Sequence, residues 1–137
     1  MGSSQRRKGA NGERELANLL YDRLGIELKR NLEQSRNGGY DLEGLPWFAI
    51  EVKRHEDLRI NEWWEQAKEQ AEWHRGRMPI LAWRQSRKPW TFRAPYPFFV
   101  CRPTPHDELL FIQPATWKYS ADMDIDTFCY IVRERWL

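Results

Sequence analysis

Trp47-Phe48-Ala49-Ile50-Glu51-Val52-Lys53 is the stretch on which the fold turns. It is rich in aromatic and β-branched residues and follows Gly44 and Pro46, so it reads as a β-strand. Side chains alternate along a strand, so Phe48, Ile50 and Val52 share one face while Glu51 and Lys53 share the other. The apolar face suits a core. The other face sets a carboxylate beside an ammonium near the strand's end. Just upstream, Gly39-Tyr40-Asp41-Leu42-Glu43-Gly44 is expected to pair with this strand as a hairpin, which brings Asp41 within reach of Glu51. Two carboxylates converging beside a lysine suit a divalent cation that activates water at a phosphodiester.

Before the hairpin, Leu16, Leu19, Leu20 and Leu24 recur at helical spacing, which predicts a helix over about residues 11–24, stopped by Gly25. Residues 1–8 are polar and basic and are expected to form a mobile arm. Residues 26–30 alternate and read as a strand, and Asn37-Gly38-Gly39 is a turn signal. After the hairpin, residues 55–60 read as a loop, and a second helix is expected over 61–75 with Asn61 as its N-cap. Residues 78–84 read as a fourth strand. Past Gln85 the pattern weakens: short strands are expected at 90–93, 98–102 and 109–112, and a final helix at 126–136. The order helix, three strands, helix, strand predicts an α/β fold with a mixed central β-sheet flanked by helices. The chain, 137 residues without an internal repeat, is expected to form a single domain.

The net charge is only +2, from 22 basic and 20 acidic residues, but the basic ones cluster near the start and after residue 83. A nucleic-acid enzyme needs cations for phosphates and carboxylates for metal, so this balance excludes neither. Cys101 and Cys129 match no zinc spacing and no disulfide framework. No apolar run approaches a membrane span and no signal peptide is evident, so a membrane partner is not expected and the default location is the cytoplasm. His55, His74 and His106 show no ligand spacing, although His55 follows the strand closely enough to face a substrate. Trp63, Trp64 and Trp73 are expected to pack, at a core or at a subunit interface.

The lead-in Lys8-Gly9-Ala10-Asn11-Gly12-Glu13-Arg14-Glu15-Leu16, then Asp41, then Glu51-Val52-Lys53, resembles the PD-(D/E)XK nuclease superfamily. Within it, the pattern is similar to the small Holliday junction resolvases of archaeal type and related phage endonucleases. The resemblance spans residues 7–84 and is poor beyond; Tyr40 stands in place of the motif's proline, which is often absent in the superfamily. It implies a restriction-endonuclease-like core and a metal-dependent DNA endonuclease. Glu13, Asp41 and Glu51 are then the ligands of Mg²⁺, for which Mn²⁺ substitutes, and Lys53 orients water or offsets charge. Gln66 falls where many members place a polar residue near the site. The resemblance further implies a 5′-phosphate product, branched DNA as the partner, and a homodimer whose two-fold axis matches a four-way junction. A phage-encoded protein would act in the host cytoplasm.

The same residues serve restriction-like, repair and flap nucleases, and the fold also carries DNA-binding proteins that do not cleave. Glu13 has a competing reading as a first-turn glutamate favoured by the helix dipole. Glu15 competes for its role, but two residues along a helix point apart. Candidate phosphate contacts are Arg7 and Lys8 at the start, and Arg30, Ser35 and Arg36 in the loop before Asp41. A second candidate surface carries Arg84, Arg87 and Lys88, with Trp90, Phe92 and Arg93 interleaved. A solvated loop is the competing reading for both loops.

Overall fold

Two short strands and four longer ones make one mixed sheet, in the order β1-β2-β3-β4-β5-β6, among the residues that the computed structural model describes, namely 3–32, 40–73, 77–103 and 114–137. The strands are β1 (Lys29–Arg30), β2 (Leu42–Glu43), β3 (Phe48–Arg54), β4 (Met78–Arg84), β5 (Thr91–Pro95) and β6 (Ser120–Asp124). Helix α1 (Ser3–Leu24) precedes β1, and α2 (Ile60–Trp73) lies between β3 and β4. Helix α3 (Tyr96–Val100) follows β5, and α4 (Ile125–Ile131) follows β6 and runs into a π-helical turn, Val132–Trp136. β3 and β4 are parallel, as a helical crossover requires, and the other pairs are antiparallel. The mixed α/β sheet flanked by helices is the expected fold class.

Register sorts the side chains into two layers. Ile50 pairs with Ile80 and Val52 with Ala82, and these residues join Leu16, Leu20, Phe92 and Phe128 in the larger core. Phe128 stacks on Phe92 at 4.3 Å and on Phe98 at 5.3 Å between ring centroids. Glu51 pairs with Leu81 and Lys53 with Trp83, and there Trp63, Trp64 and Ala67 of α2 form a second core. So α1 and α4 cover one face and α2 covers the other. β3 lies between them, buried from Phe48 to Val52.

Several expectations are corrected. Helix α1 begins at Ser3, so residues 3–8 are helical rather than an arm. Gln5, Arg6, Arg7 and Lys8 are good helix formers, and Gly9 and Gly12 weaken the helix without breaking it. It stops at Gly25, whose φ is +71° and whose N–H donates to the Tyr21 carbonyl, as expected. Helix α2 begins at Ile60, which puts Asn61 inside it rather than at its cap. The strand expected at 98–102 is instead α3, where proline near the start is pre-set for a helix and Phe98 is buried in the core. Strand β6 was not expected: Ser120-Ala121-Asp122-Met123-Asp124 has a largely polar, exposed edge and reads as loop. Asp124 also caps α4, accepting from the Thr127 N–H at 2.7 Å. The turn at 37–39 and the strand expected at 109–112 lie outside the described residues.

Candidate active site

The chain leaves β2 through Gly44, at φ +138°, where a Cβ would stand 2.8 Å from the Glu27 carbonyl oxygen. Only glycine combines that backbone with that clearance. The tight return pairs Leu42 with Ile50 and holds Asp41 against β3. The Asp41 N–H donates to the Ile50 carbonyl, and the Val52 N–H donates to Asp41 Oδ2, both at 2.7 Å. Arg77 fixes the same corner from the start of β4. It donates to the Leu45 and Phe48 carbonyls and lies 4.6 Å over the Tyr40 ring.

Asp41 and Glu51 are thereby brought together, both buried, each near enough to shift the other's carboxyl. Burial, and next the charge of Glu51, hold the Asp41 carboxyl well above the usual carboxylate range, against the pull of the Val52 N–H. Burial also raises Glu51, which the Lys53 ammonium partly offsets. Lys53 Nζ stands 3.3 Å from Glu51 Oε1, with most of its side chain covered.

Glu13 approaches from α1. It is buried, its charge is felt at both Asp41 and Glu51, and its Oε2 accepts from Arg30 Nε at 2.9 Å. Glu15 points elsewhere, accepting from Arg84 and from Trp90 Nε1 and lying 3.6 Å from Arg54 Nε. Sequence reasoning missed this clamp of α1 onto the ends of β3 and β4. It also missed Gly12, where a Cβ would meet Arg54 Cβ at 2.9 Å. A glycine inside a helical pattern is the signal for such a close approach.

Among the described residues, no group of three or more His, Cys, Asp or Glu side chains is arranged to hold a metal ion as it stands. Glu13, the third acid nearby, is engaged by Arg30. The Asp41–Glu51 pair does fit a hard divalent cation. Two neighbouring buried carboxylates offer oxygen donors, and a cation would offset the charge that burial disfavours at both. Gln66, exposed on α2, lines a cleft of about 320 Å³ that also reaches Lys53.

The expected phosphate contacts divide. Arg30 and Arg84 are tied to Glu13 and Glu15. Lys8 pairs with Glu56 at 3.0 Å, and Glu56 also accepts from Ser86, which brings Lys8 beside the turn carrying Arg87 and Lys88. Arg7 is exposed on α1, whereas Ser35 and Arg36 lie outside the described residues. The interleaved aromatic surface expected at 84–93 does not form. Trp90 and Phe92 are buried, and Arg93 pairs with Asp122 at 2.6 Å, since β5 is an interior strand with alternate residues inward.

A family model described as "Phage putative PDDEXK endonuclease" matches residues 4–135. Among solved structures, Hjc of Archaeoglobus fulgidus, a Holliday junction resolvase, matches at 21% identity and a TM-score of 0.47, over 88% of this chain and 87% of that one. No curated protein matches the chain. Among the described residues, no helix is long and apolar enough to cross a membrane.

Proposed function

The chain belongs to the phage PDDEXK endonuclease family, and from that premise we propose that it hydrolyses DNA phosphodiester bonds with a divalent metal ion held by Asp41 and Glu51. The observation that carries this reading is the buried Asp41–Glu51 pair with Lys53 Nζ 3.3 Å from Glu51 Oε1. Mg²⁺ is the proposed ion, with Mn²⁺ as a substitute. Bound there, it would lower the pKa of a water and polarise the scissile phosphate.

The chain's own residues supply the rest. Lys53 presents a compact charge that orients the attacking water and offsets charge developing on the phosphate oxygens. Glu13 is the third acid of the proposed set. It takes that role by giving up Arg30, whose guanidinium then becomes available to a phosphate. Lys8, Arg87 and Lys88 form a flank for backbone phosphates, which position DNA without reading its sequence.

For the substrate, the proposal is a four-way junction, cut by a homodimer to leave 5′-phosphates. Its support is the sequence resemblance over residues 7–84 and the match between a two-fold dimer and a two-fold junction. The test is cleavage of a synthetic four-way junction with Mg²⁺, beside linear duplex, flap and single-stranded DNA, with Glu51→Ala as control. Paired symmetric nicks in the junction alone, absent in the control, are expected. Cutting of flap or duplex instead moves the specificity to another nuclease class, and no metal-dependent cutting of any substrate overturns the reading.

A further inference from the structure

Beyond Lys53, the loop after β3 and the first turns of α2 enclose the cleft of about 320 Å³. Its charges cancel, with Lys53 and Arg59 on one side of the balance and Asp57 and Glu62 on the other. A groove that tracks phosphates carries a surplus of cations, and this cleft has none. Its wall is aromatic. The His55 ring packs tilted against the Trp63 ring, 5.3 Å between centroids, and both rings line the cleft. Burial, and next the Lys53 ammonium, lower the His55 pKa, which leaves a neutral ring near neutral pH. Gln66 adds an amide that both donates and accepts. Arg59 and Glu62 lie 3.9 Å apart with both side chains about two-thirds exposed, a weak pair that leaves either free to turn to a ligand.

A neutral cleft with one aromatic face and polar groups at its rim matches a base rather than a phosphate. We infer that this cleft receives one unpaired nucleobase, from a nucleotide next to the scissile phosphate, stacked on His55 with its polar edge toward Gln66 and Glu62. The inference rests on the nuclease reading above, and it gives that site a reason to act where bases are already unstacked, since unpairing then costs least.

The test uses branched DNA carrying an unpaired 2-aminopurine on one side of the mapped cut and then on the other. Each is titrated with the full-length Asp41→Asn protein. The base's emission is expected to change on one side of the cut. His55→Ala in that background is expected to abolish the change and weaken binding about fivefold or more. His55→Phe, which keeps a ring, is expected to retain both, and Arg133→Ala, remote from the cleft, to alter neither. No emission change on either side, or a full change persisting in His55→Ala, overturns the subsite. Cleavage of the same DNA by the wild-type chain with Mg²⁺ reads the nuclease assignment separately. Cutting without any His55-dependent emission removes the subsite and leaves that assignment standing.

Discussion

At Asp41 and Glu51 the chain keeps two carboxylates where burial disfavours charge, at Asp41 with the charge of Glu51 added. Asp41 has a folded-state pKa above its unfolded value, so its contribution to stability is full below the unfolded pKa and is lost as pH rises through the folded one. The metal-free protein is therefore expected to melt lower at neutral pH than in mild acid. Asp41→Asn keeps an oxygen for the Val52 N–H but carries no charge. It is expected to raise neutral-pH stability by about 0.5–2 kcal/mol and to flatten the pH dependence, as thermal melts in EDTA from mild acid to neutrality would show. A variant no more stable than the wild type would mean that the pair is not strained. The residues of this pair were legible in the sequence because strand alternation and hairpin pairing fix where they point. The partners of Glu13 and Glu15 were not. Their spacing says only that they diverge, and Arg30, Arg54 and Arg84 reach them from elements far along the chain.

At Gly12, next to Glu13, helix α1 comes close to the Arg54 side chain at the end of β3. Alanine there gains helix propensity of about 1 kcal/mol, but its Cβ would lie 2.9 Å from Arg54 Cβ, an atom fixed to the strand rather than a flexible tip. Overpacking costs about 1–3 kcal/mol, so the clash outweighs the propensity. Gly12→Ala is expected to lose about 1 kcal/mol in denaturant melts and to lower cleavage more than Arg133→Ala does. A more stable, fully active Gly12→Ala protein would contradict the close approach. Most of the chain up to Arg84 was legible, β4 as a continuous apolar run buried from Met78 to Trp83, whereas residues 3–8 of α1 carry no apolar stripe and read as an arm. Strand β6 was not, since an exposed edge with acids at 122 and 124 carries no apolar alternation. Helix α3 was not either, because a five-residue apolar run is compatible with strand or helix until its packing is known.

Across the whole molecule, the fold gathers α1, the Asp41 turn and the end of β3 around one buried cluster, with the cleft beside Lys53 opening next to it. The larger core holds β3 rigid beneath that cluster, and the aromatic stack of Phe92, Phe98 and Phe128 lies within it. On the proposed function, stability given up at these carboxylates makes room for a cation, and the same substitution should therefore move stability and cleavage in opposite directions. The most direct measurement is single-turnover DNA cleavage with Mg²⁺ by wild-type and Asp41→Asn proteins, both shown by melting to be folded. Residues that only support a metal's ligands are worth about 10–100-fold, so loss of a ligand itself is expected to slow cleavage by more than about a hundredfold. A folded Asp41→Asn protein that cuts at the wild-type rate would contradict the account.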